Sequence, residues 1–206
     1  NPCARTLGAA RVIATPSSAA RPNRAGRRRM KRLRTARGML IGMMGAGKST
    51  VGRLLAEQLH YQFVDADREL EARSGVPIPT IFEIEGEAGF RDREEATIAE
   101  LCVLTDIVLS TGGGAVLRPM NRQRLKENGT VIYLHAEPST LYDRVRHSRN
   151  RPLLQAADPL ARLGELYGQR DALYREVADH VVESERSEVM KLVRLFEPPS
   201  APHDGA

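Results

Sequence analysis

The amino-acid sequence predicts a three-layer α/β/α domain in which a doubly wound, five-stranded parallel sheet lies between helices. Short apolar segments alternate with longer amphipathic or polar segments along most of the chain, which is the pattern of parallel strands joined by crossover helices. A glycine-rich stretch joins the first apolar segment to the first helical one. Acidic or glycine residues follow two other apolar segments, at the strand ends where open α/β sheets bind ligands.

The length of 206 residues and the hydrophobic content of 41% suit a single domain core. Residues 1–40 carry eleven of the 31 Lys and Arg residues and no acid, so residues 41–206 hold 20 basic side chains against 26 acidic ones. This acidic balance argues against a broad nucleic-acid surface, and no apolar run approaches the roughly 20 residues of a membrane helix. We expect a monomer with neither nucleic-acid nor membrane partners.

Residues 1–36 form a basic extension that we expect to be disordered, because they are rich in Ala, Arg, Pro and Ser and lack acids. Three interpretations remain open: an organelle transit peptide, a basic interaction arm, or upstream sequence ahead of a start at Met30. We favour an extension without a role in the chemistry, with the transit peptide second. The two cysteines, Cys3 and Cys102, indicate neither a disulfide framework nor zinc. The expected location is therefore cytoplasmic, with an organelle as the alternative.

A glycine-rich loop joins the first strand, Met39–Ile41, to the first helix. Residues 42–49 match G-x-x-x-x-G-K-[ST], a loop whose N–H groups turn toward phosphate oxygens at a helix N-terminus. The helix that follows is predicted to bury Val51, Leu54, Leu55 and Leu59 on one face. A glycine-rich turn with a solvated lysine is the plain alternative, but the flanking strand and helix favour nucleotide binding. The predicted phosphate-binding residues are Gly45, Ala46, Gly47, Lys48, Ser49 and Thr50, with Lys48 on the β- and γ-phosphates and Ser49 on Mg²⁺.

The second strand, residues 61–64, ends in a pair of acids. Asp65 and Asp67 follow it directly, at the carboxyl end where α/β sheets bind ligands. A helix is predicted over 67–73. The plain alternative for both acids is that they cap this helix, since Asp is a favoured N-cap residue.

The middle of the chain contains three successive glycines at residues 112–114. Glycine and prolines within 74–79 interrupt the helical pattern, and a polar helix is predicted after residues 80–91, reaching about Leu104. Residues 107–110 form the next strand and lead into the glycines. Because the glycines remove every side chain, we expect another group to approach the backbone there; a sharp turn, the alternative, hardly needs three.

The last part of the chain continues the alternation of strands and helices. A helix is predicted from Pro119 to residues 128–129, followed by a strand at 130–134 that is apolar enough to be buried on both faces. Ser139 is predicted to cap a helix that ends near Arg146. The remaining predicted elements are a mobile loop at 147–155, a helix at 160–178, a strand at 180–182, a helix at 187–196 and a frayed tail at 198–206.

Taken together, these motifs resemble those of shikimate kinases. The resemblance covers about residues 38–196, and the motifs occur in the order and approximate spacing of that family. They are GMMGAGKST at 42–50, the pair Asp65 and Asp67, GEAGFR at 86–91 with Glu94 or Glu95 after it, STGGG at 110–114, RPLL at 151–154 and RDALY at 170–174. The phosphate loop alone indicates only a P-loop NTPase; the other motifs make the resemblance specific.

The resemblance implies a P-loop kinase domain over residues 37–197, with a mobile lid at about 147–158. The implied reaction transfers the γ-phosphoryl of ATP to the 3-hydroxyl of shikimate, which gives shikimate 3-phosphate and ADP in chorismate and aromatic amino acid biosynthesis. Catalysis would rest on Lys48, Asp67 and Arg151, with Mg²⁺ held by Ser49 and, through water, by Asp65. Arg151 would swing from the lid onto the transferring phosphate.

The resemblance also implies the substrate and adenine contacts. Arg91 and Arg170 would bind the shikimate carboxylate, since the planar guanidinium matches two carboxylate oxygens; their plain alternative is a helix-surface residue in an i,i+4 pair. Gly112, Gly113 and Gly114 would let the ring of shikimate lie against the backbone, and Arg146 and Arg186 would contact adenine.

Two rival interpretations remain. Another small-molecule P-loop kinase, for example one for gluconate, would share the loop and a lid but lack the set of Arg91, three glycines and Arg170. A non-enzymatic, nucleotide-dependent binding module would use residues 1–36 as an RNA or membrane arm. The complete set of Lys48, Asp67 and Arg151 argues against that second alternative.

Overall fold

A five-stranded parallel sheet forms the centre of the computed structural model, which describes residues 37–146 and 158–195. The strands lie in the order β2-β3-β1-β4-β5, and every neighbouring pair is parallel. They are β1 Arg37–Ile41, β2 Gln62–Asp65, β3 Ile107–Ser110, β4 Thr130–His135 and β5 His180–Glu183. The predicted five-stranded parallel sheet is therefore confirmed. The expected disorder of residues 1–36 and 198–206, and the expected lid except for Asp158, fall outside the described residues.

Helices cover both faces of the sheet. They are α1 Lys48–Leu59, α2 Ala66–Ser74, α3 Ile78–Leu101, α4 Pro119–Asn128, α5 Pro138–Val145, α6 Pro159–Val177 and α7 Arg186–Leu195. The connection from β1 to β2 runs along the sheet in one direction and that from β3 to β4 runs in the other. Because such crossovers are right-handed, they place helices on opposite faces: α1 contacts α7 on one face, and α4 contacts α6 on the other.

The two central strands carry the core. Met39, Leu40 and Ile41 of β1 are fully buried, as are Val131–Leu134 of β4. A residue buried on both faces of a sheet has no polar side to present, which explains the continuous apolar runs in the sequence. The prediction that β4 is covered on both sides is confirmed.

The buried face of α1 differs from the predicted one at Leu54. This residue is 41% exposed, whereas Val51 and Leu55 are buried as expected. Gly52 takes the place against the sheet instead, because a Cβ there would collide with the ring of Phe63. This contact is made with β2, a separate strand, so the helical period of α1 does not show it.

Helix α3 begins earlier than the sequence predicts. It starts at Ile78, because Pro79 lies in its first turn, where the missing N–H costs nothing. The prolines therefore do not only interrupt the helical pattern, as predicted, but also begin the next helix. A kink at Gly86, with φ 69° and ψ −174°, divides the helix. Phe90 lies beyond this kink and packs against α2 in a small apolar cluster made of Leu70, Ile81 and Phe90.

The predicted cap of α5 is also wrong. Glu137 occupies the N-cap position, Pro138 is the first helical residue and no side chain caps the helix, so Ser139 lies inside the first turn. Asp158 does cap α6, since its carboxylate accepts a hydrogen bond of 2.9 Å from the N–H of Ala161. Among the residues that the structure describes, no helix has the length and apolar character needed to cross a membrane.

Candidate active site

The candidate site lies at the carboxyl ends of β1, β2 and β3. In this sheet β1 lies between β3 and β4, and the connections on its two sides run in opposite directions, which is the topological switch point where open α/β sheets bind ligands. The phosphate loop follows β1, Asp65 ends β2, and Thr111 followed by three glycines continues from β3.

The phosphate loop leads directly into α1. Gly47 is the N-cap residue of this helix and has φ 87°, a left-handed conformation that side chains other than glycine adopt at a cost. Its neighbour Ala46 donates a backbone hydrogen bond of 3.3 Å to the Met43 carbonyl, which closes the loop. The first N–H groups of α1 have no partners within the helix, so they can bind phosphate oxygens. Thr50 lies exposed in the same first turn.

Lys48 folds back over the loop that precedes it. Its ammonium donates hydrogen bonds to the carbonyls of Gly42, at 2.8 Å, and Met43, at 3.0 Å. This conformation places the positive charge inside the loop, where the predicted phosphates would lie. The carbonyls therefore position the ammonium without neutralising it.

Ser49 and Asp65 meet at the end of the loop. The Ser49 hydroxyl donates a hydrogen bond of 3.0 Å to Asp65 Oδ2. Asp65 does occupy the N-cap position of α2, but its side chain makes no capping hydrogen bond, so the capping alternative does not describe its carboxylate. Outside residues 1–36, 147–157 and 196–206, no three His, Cys, Asp or Glu side chains form a metal cluster.

Asp67 lies in the first turn of α2 and faces the glycine turn. Burial raises the pKa of its carboxyl, and the neighbouring charge of Asp65 raises it further, while Lys48 and Arg91 act in the opposite direction. Desolvation and like charge both disfavour the ionised form. Asp67 is therefore a carboxylate whose affinity for a proton is greater than that of an exposed aspartate.

Two of the three glycines are required by close approach of charged side chains. A Cβ on Gly112 would lie 2.7 Å from both Asp67 Oδ1 and Glu94 Oε1, and a Cβ on Gly114 would collide with the Arg91 guanidinium. The prediction that other groups approach this backbone is confirmed. A Cβ on Gly113 would meet only ordinary contacts, and this glycine is half-buried whereas Gly112 and Gly114 are buried.

Arg91 is held in a pair of ionic contacts. It donates to Glu94 Oε2 at 2.7 Å and to Glu87 Oε1 at 3.1 Å. Burial works against its charge, but Glu94 and Glu87 together raise the pKa of the guanidinium. The i,i+4 pair expected for a plain helix-surface arginine is therefore present, yet the second partner, Glu94, is buried and its side chain is only 2% exposed.

Arg170 differs from Arg91 in how its charge is paired. Only 5% of the residue is exposed, and among the described residues it forms no salt bridge, which rules out the surface-pair alternative. Burial and the charge of Arg91 both lower the pKa of its guanidinium. Its Nη1 would lie 3.8 Å from a Cβ on Gly113, so the guanidinium lies beside the glycine turn.

Sequence reasoning missed two functional candidates, Glu94 and Tyr174. The motif left Glu94 and Glu95 undecided; the structure buries Glu94 against Arg91, whereas Glu95 contacts Arg124 at 3.3 Å. Glu94 follows Arg91 by three residues, and this spacing places two side chains side by side on a helix, so it could have indicated the pair. Tyr174 stood in the RDALY motif without a role, and its contacts are described below.

Three further predicted residues have no described contact with this group of side chains. Arg151 lies outside the described residues. Arg146 is exposed at the end of α5, 3.8 Å from Asp143, and Arg186 is exposed at the start of α7. Their predicted contacts with nucleotide stay predictions.

Comparison with known proteins agrees with this geometry. A family model described as shikimate kinase matches residues 44–196. The shikimate kinase of Thiobacillus denitrificans is 61% identical over 157 residues, which make up 76% of this chain and 86% of the relative. That of Cupriavidus pinatubonensis is 60% identical over 155 residues, or 75% of this chain and 81% of the relative.

Solved structures show the same similarity. A shikimate kinase from Acinetobacter baumannii in complex with shikimate superposes with a TM-score of 0.74 at 44% identity, over 78% of this chain and 90% of that one. The shikimate kinase of Aquifex aeolicus superposes with a TM-score of 0.68 at 35% identity, over 78% and 95% of the two chains. A gluconokinase from Sinorhizobium meliloti, at a TM-score of 0.53 and 21% identity over 80% and 91%, shares the fold.

Proposed function

This chain belongs to the shikimate kinase family, and we propose that its described side chains divide the reaction between a phosphate loop and a carboxylate pocket. Members of the family phosphorylate shikimate with ATP. The observation that carries the proposed assignment is Arg170, a buried guanidinium without an acid among the described residues, beside Arg91 and Gly113. A bound carboxylate supplies the missing counter-charge.

In the carboxylate pocket, Arg91 and Arg170 bind the carboxylate of shikimate from two sides. Glu94 holds the Arg91 guanidinium in place, and the glycine turn lets the ring lie close to the backbone. Gly112 and Gly114 have no room for a Cβ, so the turn keeps Asp67 and Arg91 at their close distances. The hydroxyl groups of shikimate are then directed toward Asp67.

Asp67 orients the 3-hydroxyl by accepting its hydrogen bond. As the bond from this oxygen to the γ-phosphorus forms, the bond from the γ-phosphorus to the β,γ-bridging oxygen of ATP breaks, ADP leaves, and the hydroxyl proton moves to the Asp67 carboxylate. A pKa raised by burial and by Asp65 supports this role, because the carboxylate then holds the proton more firmly. Phosphoryl transfer otherwise needs positioning and charge stabilisation rather than covalent participation by the protein.

In the phosphate loop, Lys48 neutralises charge on the β- and γ-phosphates. Its ammonium already lies over the loop carbonyls, so it has only to turn toward the phosphates. The N–H groups at the start of α1, including those of Ser49 and Thr50, and the loop amides from Gly45 to Gly47 bind the phosphate oxygens. These contacts strengthen as negative charge develops on the transferring group.

Ser49 and Asp65 are the residues that would hold Mg²⁺. Their oxygens lie 3.0 Å apart, and Mg²⁺ requires few protein ligands because phosphate oxygens and water complete its octahedron. The pair therefore fits this ion: Ser49 would bind it directly and Asp65 through water. Bound there, Mg²⁺ supplies neutralisation of phosphate charge.

The nucleotide contacts beyond the loop are assigned by family resemblance alone. Arg151 would reach the transferring phosphate from a lid, and Arg146 and Arg186 would contact adenine. The domain boundaries, a monomeric state and a cytoplasmic location likewise stay predictions.

The proposed function is tested by ADP release from the full chain. With ATP and Mg²⁺ present, we expect release that depends on shikimate, and not on gluconate, in a coupled assay. Phosphorus NMR of the product should show a new phosphate monoester. ADP release that is equal with and without shikimate would contradict the proposal, and turnover that persists in excess EDTA would contradict the role of the metal.

A further inference from the structure

Tyr174 joins three parts of the site without belonging to any role described so far. It lies on α6 one turn after Arg170 and is fully buried. Its hydroxyl donates a hydrogen bond to the carbonyl of Gly113, lies 3.7 Å from Met43 Sδ in the phosphate loop, and contacts Arg170. One buried hydroxyl thus lies beside the glycine turn, the phosphate loop and Arg170.

The direction of these hydrogen bonds follows from the chemistry of the groups. An arginine can only donate, and a phenol carries one hydrogen. Burial raises the pKa of the Tyr174 phenol, so it remains protonated. The hydroxyl hydrogen therefore goes to the Gly113 carbonyl, and the oxygen stays able to accept a hydrogen bond from Arg170, whose charge acts on the phenol. One side chain thus orients both the cation and the backbone of the turn.

The bond to Gly113 also determines where the next amide points. In a trans peptide the C=O of one residue and the N–H of the next point in opposite directions, and no cis peptide occurs among the described residues. Since the Gly113 carbonyl faces Tyr174, the N–H of Gly114 faces away from α6. The hydroxyl of Tyr174 therefore holds this amide in one orientation.

The ring of Tyr174 is itself held in place by a neighbour. It stacks on Tyr133 of β4, with ring centroids 4.8 Å apart and planes at 26°. The Tyr133 hydroxyl donates a hydrogen bond of 2.9 Å to Asp171, on the same helix α6. Each tyrosine of the stacked pair thus donates one hydrogen bond from its hydroxyl. The acceptor of the Tyr133 hydroxyl is Asp171, which does not belong to the candidate site.

We propose that Tyr174 is a positioning residue for shikimate binding, which aims Arg170 at the carboxylate and fixes the peptide between Gly113 and Gly114. The inference rests on the proposed function, because it assumes that the carboxylate binds at Arg170. It assigns Tyr174 an effect on substrate affinity, whereas a purely structural tyrosine would affect stability alone.

The test compares Tyr174→Phe with the matched variant Tyr133→Phe. Each removes one hydroxyl from the stacked pair and keeps the ring, so the losses in melting temperature should be similar. In calorimetry without nucleotide, Tyr174→Phe should raise the Kd for shikimate about tenfold or more, the effect of losing a hydrogen bond to a charged group. Tyr133→Phe should stay within about twofold, and kcat at saturating shikimate should change little in both. Equal Kd values for the two variants would overturn the proposal.

Two further measurements separate positioning from general damage. The ratio of affinities for shikimate and its methyl ester does not depend on the folded fraction, so it stays informative even if Tyr174→Phe is unstable. The ratio should fall in this variant, because the ester lacks the charge that Arg170 binds; an unchanged ratio overturns the proposal. When Tyr174→Phe is combined with Arg170→Lys, the fold-loss in affinity for shikimate should be smaller than the product of the two separate fold-losses. A loss equal to that product contradicts the proposal. Shikimate-independent turnover by the wild type would instead refute the proposed function.

Discussion

The phosphate loop and the carboxylate pocket differ in the partners that they give to their cationic side chains before any ligand binds. Lys48 donates to two carbonyls of its own loop, so the loop positions its cation with neighbours in sequence. The pocket buries Arg170, which forms no salt bridge with any described residue, and places it near Arg91, which Glu94 already pairs. The loop positions its cation with backbone carbonyls, whereas the pocket buries a guanidinium that a bound carboxylate would pair.

This difference predicts that changes in the two regions affect different steps. Loop residues act on charge that develops during transfer, so their loss should reduce kcat. Pocket residues act on a carboxylate that does not react, so their loss should raise KM. Asp67 lies between the regions and should affect both activity and stability.

The largest effect is expected for Lys48→Ala. Loss of a cation that stabilises the transferring phosphoryl should lower kcat about 10³-fold, the upper range for removing one such group, while the fold is kept. The measurement is the coupled ADP assay with circular dichroism as the check on folding. Lys191→Ala, at an exposed lysine paired with Glu188, is the matched control. A loss of only a few-fold would remove Lys48 from the phosphate site.

Asp67→Asn should lower activity about 10²-fold and yet stabilise the protein. The variant loses the proton acceptor, but it also removes a buried negative charge near Asp65. Because burial raises the pKa of Asp67 on folding, the folded wild type binds more protons than the unfolded chain and its stability falls as pH rises through this raised value.

The asparagine variant lacks this penalty, so at pH 7 its melting temperature should be about 2–4 °C higher. The gain should shrink as the pH falls toward the ordinary aspartate value of about 4, which a series of thermal melts can follow. Asp143→Asn, at an exposed aspartate on α5, should show neither effect. If Asp67→Asn were as active as the wild type, Asp67 would have no role in the reaction and would be only a residue of the first turn of α2.

Arg170→Lys and Arg91→Lys should raise KM for shikimate about tenfold with little change in kcat. A lysine keeps the charge but loses the planar pair of donors that matches a carboxylate. Steady-state kinetics over a range of shikimate concentrations measure both constants. If kcat fell while KM stayed constant, the carboxylate assignment would be wrong.

The sharpest contrast between the two arginines is in stability. Arg91→Met should cost about 2 kcal/mol, since it leaves the buried Glu94 without its charged partner. Arg170→Met should be neutral or stabilising, because the arginine leaves no salt-bridge partner behind among the described residues and its desolvation is relieved. Urea unfolding of both variants tests this. Equal losses would show that Arg170 has a counter-charge in the free protein.

The sequence predicted the phosphate loop and the sheet because both depend on neighbouring residues. The strand, loop and helix of residues 39–59 are contiguous, and burial on both faces leaves a continuous apolar run such as 130–134. The contacts that were missed or wrong are long-range ones. Phe63 packs against α1 at Gly52, and no period within the helix contains that contact.

The pocket shows the same limit more strongly. Family resemblance selected Arg91 and Arg170 together, but the sequence does not say that Glu94 pairs with one and that no described acid forms a salt bridge with the other. Nor does it show that the hydroxyl of Tyr174 meets the Gly113 carbonyl, 61 residues away in the chain. The sequence by itself determined which groups carry charge and which backbone segments are strands or helices, because those properties belong to residues and their neighbours. The tertiary structure decided which charges are buried and which are paired, because desolvation and Coulomb energy depend on the distances that packing of α3 and α6 around the glycine turn creates.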